Sequence, residues 1–173
     1  MRKFFIVAAA IAAASCGGNQ SNLSKDDANS VASQLSEAIA AARPEQAGAP
    51  AGSGANLLTI STNLNVTQAC PGGGNLNLSG PISINCPAGI FSCTYSGTLA
   101  LAANQCTTPA GVTINTPAGQ PLTVTLSGSG LNFTATATGT LEVTVDGVTT
   151  TCNVDVRLSP GLRLGSVCGI SLR

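Results

Sequence analysis

The chain has 173 residues but no histidine, no tryptophan and a single tyrosine. It also has little charge, with seven basic and seven acidic residues. From Gln46 through Leu141 there is no Asp, Glu, Lys or Arg, whereas charged residues make up about a quarter of an ordinary soluble domain. These gaps exclude much. Without histidine there is no imidazole metal ligand and no imidazole acid–base catalyst. Within the uncharged span, proton transfer is left to Tyr95 and to Cys70, Cys86, Cys93 and Cys106. Downstream only Glu142, Asp146, Asp155, Arg157, Arg163 and Arg173 carry charge. Nucleic-acid binding needs clustered Lys and Arg, and no such cluster exists. Without tryptophan, the stacking platforms common in sugar sites are scarce.

Long apolar runs are also missing, with one informative exception at the start. Met1-Arg2-Lys3 is followed by an apolar run from Phe4 to Ala14, then Ser15 and Cys16. The run is short of the roughly 20 residues a spanning helix needs. A basic start, a short apolar stretch and a small residue before the cut form the layout of a secretory signal. An ordinary signal cut near Ala13 or Ser15 would leave a free cysteine. The run Ala13-Ala14-Ser15-Cys16 resembles the lipobox of bacterial lipoproteins, with Ala13 in place of the preferred Leu. That resemblance implies cleavage before Cys16 and a lipid on its thiol. It also implies an exported protein held to a bacterial membrane through that lipid. Gly17, in place of Asp after the cysteine, points by enterobacterial sorting to the outer membrane or cell surface. Removing Arg2 and Lys3 with the signal leaves the mature chain about two charges on the acidic side.

Seven cysteines are present, and setting Cys16 aside leaves six: Cys70, Cys86, Cys93, Cys106, Cys152 and Cys168. An even number in an exported chain implies disulfides. Six cysteines allow fifteen pairings, and the sequence selects none. A metal site is the alternative use, but there is no Cys-x-x-Cys pair and no histidine. No metal and no cofactor is expected.

The chain divides into a signal helix (1–15), a polar tether (16–23), a helix (24–43), a Pro/Gly/Ala linker (44–55) and a β domain (56–173). Ser24 and Asp27 have capping-box spacing, and Asp26 and Asp27 suit the positive end of the helix dipole. Val31, Leu35 and Ile39 form one apolar stripe, and Pro44 ends the segment. The face is narrow and mostly alanine. It suits a helix lying loosely on the β domain or in solvent, or one that pairs with a partner. Whether it packs on the β domain stays open.

From Asn56 onward the period is two. Alternation runs through Leu57–Val66, Leu76–Ser79, Pro81–Asn85, Thr98–Ala102, Leu122–Ser127 and Leu131–Thr138. Breaks fall at Pro71-Gly72-Gly73-Gly74, Pro87-Ala88-Gly89, Pro109-Ala110-Gly111, Pro117-Ala118-Gly119 and Gly128-Ser129-Gly130. Short strands with regular turns predict a mainly β fold, a single antiparallel β-sandwich or barrel-like domain. Asp146-Gly147 is a preferred type I′ hairpin turn. It sets Val145 opposite Val148, Val143 opposite Thr150, Leu141 opposite Cys152 and Gly139 opposite Val154. Leu141, Val143, Val145, Val148, Cys152 and Val154 then share the inner face with Thr150. A slip of one residue would invert both faces.

The polar faces rely on Thr, Ser and Asn, as in Thr134-Ala135-Thr136-Ala137-Thr138. Threonine favours strands, and a solvated face is the plain reading. A flat array binding ice or a crystalline polymer would need a strict repeat, which is absent. Gly72–Leu78 lacks the aspartate of a calcium-binding glycine repeat. Short pieces such as Cys70-Pro71-Gly72-Gly73-Gly74, Ser96-Gly97-Thr98-Leu99, Cys152-Asn153-Val154-Asp155-Val156 and Val167-Cys168-Gly169 give the β domain a further likeness. It resembles Gly/Thr-rich, cysteine-containing envelope lipoproteins of Gram-negative bacteria, which implies a secreted β domain and carries no activity. The expectation is an envelope lipoprotein with a structural or interaction role, no catalytic residue, and a possible protein or surface-polymer partner. The alternative is a binding module for an apolar ligand, glycan or protein. Oligomeric state is left open.

Overall fold

The computed structural model describes residues 22–42, 58–86, 93–129 and 132–172. They form one helix and ten strands, mainly β as the periodicity predicts. Helix α1 spans Lys25–Ala41. The strands are β1 Leu58–Ala69, β2 Asn75–Cys86, β3 Thr94–Asn104, β4 Cys106–Thr107, β5 Thr113–Asn115 and β6 Leu122–Ser129, then β7 Asn132–Val145, β8 Val148–Ser159, β9 Leu162–Val167 and β10 Ile170–Leu172. All join one antiparallel sheet with the path β1-β2-β3-β6-β7-β8-β9-β10. The small β4–β5 pair sits beside the C-terminal part of β7, where Ile114 meets Val143.

Neighbours along the path are nearly all hairpins, so the chain alternation translates directly into two faces. Leu76, Leu78, Leu99, Leu101, Leu122, Val124, Leu126, Leu141, Val156 and Leu158 lie at or near zero exposure and fill the inner face. The intervening positions, Ser83, Ser96, Ser127, Thr125 and Asp155 among them, point to solvent.

The sheet does not close by hydrogen bonds, because β1 and β10 are its two free ends. Laid flat, eight strands would hold those ends about 34 Å apart. Yet α1 packs mainly against β9 and β10 at one end and against β1 and β2 at the other. A helix of 17 residues is about 25 Å long, and its main contacts miss the central strands. The sheet therefore curls, and α1 lies across the gap between its ends.

This location corrects the expectation of a loosely placed helix. Ala28, Val31, Ala32, Leu35, Ile39 and Ala42 are fully buried. The alanines that make the apolar face narrow also let the helix sit close to the sheet. Ser24 caps α1 as its spacing predicts: the Asp27 N–H donates to its Oγ at 3.1 Å, and the Ser24 N–H donates to the Asp27 carboxylate at 2.9 Å. Leu23, the last residue of the polar tether, is buried and so belongs to the packed body. The helix ends at Ala41, and the linker of residues 44–55 lies outside the described residues.

Three strands run further than alternation alone indicates. The segments at Leu76 and at Pro81 are one strand, β2, passing through Gly80 and Pro81. Its ladder to β3 lapses there, between Ser79↔Ala100 and Ile82↔Gly97. A proline, lacking an N–H, is tolerated at such a gap. The segments on either side of Gly139 likewise fuse into β7, where Gly139 has φ of 142°. A Cβ there would come within 2.9 Å of Leu122, so the glycine makes room for a core leucine. Strand β6 runs on through Gly128 to Ser129, beyond the break expected there.

The Asp146-Gly147 hairpin has the expected register at all four pairs. Both turn residues have positive φ, 50° and 78°, as a type I′ turn requires. Its inner face is buried at Leu141, Val143 and Val154, but the tip extends past the core and Val148 is 51% exposed.

Truncation of the helix tests its structural role. Leu35→Ala should lower unfolding stability by about 2–5 kcal/mol, and Ser24→Ala by about 1 kcal/mol. Gln34 is 2% exposed and its Nε2 has no hydrogen-bond partner among the described residues, so Gln34→Met should cost nothing or stabilise. Denaturant unfolding of the three variants checks the series. A negligible cost for Leu35→Ala would mean that α1 is not part of the core.

Candidate functional site

Cys16, the residue singled out for lipid attachment, lies outside the described residues. The other six cysteines all pair. Cys70 bonds Cys106, Cys86 bonds Cys93, and Cys152 bonds Cys168. The reason for each pairing lies in the topology. The turn after β1 folds onto β4: Gly72 N–H donates to the Thr107 carbonyl at 3.0 Å, and Thr107 N–H donates to the Gly73 carbonyl at 3.0 Å. That places Cys70 beside Cys106, and both are buried. Cys86 ends β2 and Cys93 precedes β3, so their bond closes the β2–β3 connection. Cys168 occupies the β9–β10 turn with φ of 54°, and its N–H donates to the Asn153 carbonyl at 2.9 Å. This brings it to Cys152 on β8.

The fixed turn around Cys70 depends on glycine. Gly74 has φ of 73°, and a Cβ on it would run into the Gln105 carbonyl. Residues 70–74 therefore form a tight turn locked by a disulfide, and Asn75 to Leu78 already belong to β2.

Tyr95, the one phenol, is buried at 5% exposure and donates to the Asn132 carbonyl at 3.2 Å. It ties β3 to the start of β7. Gly128 makes room for it, because a Cβ there would lie 2.6 Å from the Tyr95 hydroxyl. Next to this contact Thr94, Ser127, Gly128, Ser129, Asn132, Phe133 and Thr134 line an open surface depression of about 350 Å³. Its side chains offer hydroxyls, one amide and the edge of a ring, with no ionisable group.

The charged residues do not gather there. Glu142, Asp155 and Arg157 project from the outer face of the β7–β8 pair, as the alternation predicts. Asp155 stands opposite Thr138 and Glu142 opposite Thr151, so their backbone positions are offset by about 13 Å along the strands. Arg163 is exposed on β9. Among the described residues no group of three or more His, Cys, Asp or Glu could hold a metal ion. Among them, too, no helix is long and apolar enough to cross a membrane.

The outer face is knit by its own polar groups. Asn77 Nδ2 donates to Asn65 Oδ1 at 2.9 Å and to Thr67 Oγ1 at 3.0 Å, and the Thr144 and Thr149 hydroxyls bond at 2.8 Å. These cross-strand pairs hold the sheet, and the curl of the sheet keeps the threonine rows from forming a flat array.

Comparison with family models, curated proteins and solved structures finds no match.

Two outcomes follow from this geometry. Reduction of all three disulfides should destabilise the domain by several kcal/mol, at about 2–4 kcal/mol per bond, as read by denaturant unfolding with and without reductant. Gly128→Ala should cost about 1–3 kcal/mol through overpacking against Tyr95 and the Asn132 backbone. An unchanged midpoint for Gly128→Ala would show that the Tyr95 contact is not tight.

Proposed function

We propose that this chain is a membrane-anchored envelope or cell-surface lipoprotein with a structural or interaction role and no catalytic activity. The observation that carries the reading is cysteine parity. Six of the seven cysteines pair with one another, which leaves Cys16 as the odd thiol, placed directly after a signal-like segment. Disulfides suit an oxidising compartment, and an exported lipoprotein occupies one.

The absence of chemistry draws on the same residues. General acid–base catalysis needs groups converging on a reacting atom. Glu142, Asp155 and Arg157 are spread over a solvated sheet face, and Tyr95 is engaged beneath Gly128. The cysteines that could act as nucleophiles are oxidised. What remains is a rigid, nearly uncharged β body presented on a tether.

Attachment gives the test. The mature native protein should carry acyl chains on Cys16 by intact-mass measurement. Cys16→Ser should release the protein from the membrane or leave its signal uncut, since stable anchoring rests on those chains at about 0.8 kcal/mol per buried methylene. An unmodified Cys16 in the native mature protein would refute the reading.

A further inference from the structure

The three exposed large hydrophobics among the described residues are Val148, Leu162 and Leu164. Two of them sit together on one hairpin. Leu162 is 49% and Leu164 is 43% exposed, and both are on the outer face of β9, just beyond the Pro160-Gly161 turn. Register sets Leu162 opposite Ser159, Leu164 opposite Arg157 and Ser166 opposite Asp155. From the tip inward, the outer face therefore presents a leucine beside a serine, then a leucine beside a cation, then a serine beside an anion. Arg163 projects between the leucines from the other side of the strand and is exposed. In a chain so poor in charge, two of the three described basic side chains lie on this hairpin, the other being Lys25.

We propose that the β8–β9 hairpin is a second membrane contact, laying Leu162 and Leu164 into the headgroup layer of a phospholipid surface with Arg157 and Arg163 at the phosphates. The proposal rests on the anchoring of Cys16 described above. Between Cys16 and the buried Leu23 there are seven residue steps, which span at most about 25 Å. A twelve-residue strand such as β1 is about 40 Å long. The tether is shorter than the body it holds, so a lipid on Cys16 keeps Leu23 within about 25 Å of the bilayer and the domain within reach of it. Helix α1 follows that tether directly and packs on β9.

The chemistry of the hairpin selects a lipid surface over a second copy of the chain. Leucine beside arginine suits an interface where apolar groups meet phosphates. Among the described residues, strand β9 has β8 on one side and on the other only β10, from Gly165 to Val167. Two such free edges paired antiparallel about Arg163 would place two arginines opposite each other, which is unfavourable. The same unpaired backbone limits insertion to the hydrated headgroup layer.

The chain from residue 16 with Cys16→Ser removes the lipid and isolates the hairpin. The protein has no tryptophan, so Leu164→Trp on this background is a single reporter. With vesicles of phosphatidylethanolamine and phosphatidylglycerol, its emission should shift to the blue and be quenched by brominated lipid. Val148→Trp, at the tip of the other hairpin, should do neither. Leu162→Ser with Leu164→Ser should weaken vesicle partition about tenfold or more. Arg157→Gln with Arg163→Gln should weaken it on these vesicles but not on phosphatidylcholine. These exposed substitutions should leave thermal unfolding within a small margin. No partition of the Cys16→Ser chain to the anionic vesicles would overturn the proposal. So would a leucine-dependent dimer whose partition is unaffected by the serine substitutions. Intact mass of the native protein reports lipidation separately, so failure of one reading is distinguishable from failure of the other.

Discussion

Burial of one face of α1 between the two ends of the sheet is the contact on which the rest of the structure depends. A sheet that curls without closing buries its central strands against itself but leaves apolar surface at its two ends, β1–β2 and β9–β10. Val31, Leu35 and Ile39 cover it, each worth about 1.5–3 kcal/mol on burial. That is a large share of the roughly 5–15 kcal/mol by which a domain is stable. The alanines between them matter as much as the larger residues, because a bulkier face would hold the helix away from β1 and β10. The helix is thus a part of the β domain, although the linker of residues 44–55 separates the two in sequence.

Two of the three disulfides act where the sheet ladder is shortest. Cys70–Cys106 pins a glycine-rich turn to a two-residue strand, and Cys152–Cys168 holds the short β9–β10 end that meets α1. Cys86–Cys93 closes the β2–β3 connection, which the ladder between those strands already brings together. On a body with so few charges, covalent bonds and cross-strand hydroxyl and amide pairs take the place that ion pairs hold elsewhere. The outer face is tied across strands by its own Asn and Thr side chains.

Much of this was legible in the residues. The β class followed from a period of two. The helix followed from Ser24, Asp27 and the Val31 stripe, and the Asp146-Gly147 hairpin followed from turn chemistry and alternation. The position of α1 was not legible, because a narrow alanine-rich face suits close packing and weak amphipathicity equally well. Gly80 falls between two alternating segments and Gly139 opens the hairpin strand just after another, yet in each case the two segments are one strand. The first glycine occupies a gap in a ladder and the second yields space to Leu122, and both facts belong to neighbouring strands. Strands β4, β5 and β10, of two or three residues, are too short to show a period. Disulfide pairing depends on which turns meet, so it waited on the topology. The site was legible only as an absence of chemistry and as Cys16. The Leu162–Leu164 patch became visible only once burial separated it from the other leucines.

On the proposed anchoring, a lipid on Cys16 pulls directly on α1, and the helix carries that load into the sheet because it belongs to the core. Native-state hydrogen exchange tests this most directly. The account expects the amides of α1 to exchange only with global unfolding, at the same free energy as those of β2 and β7. Release of α1 in a separate, lower-energy step, with the sheet still protected, would contradict it.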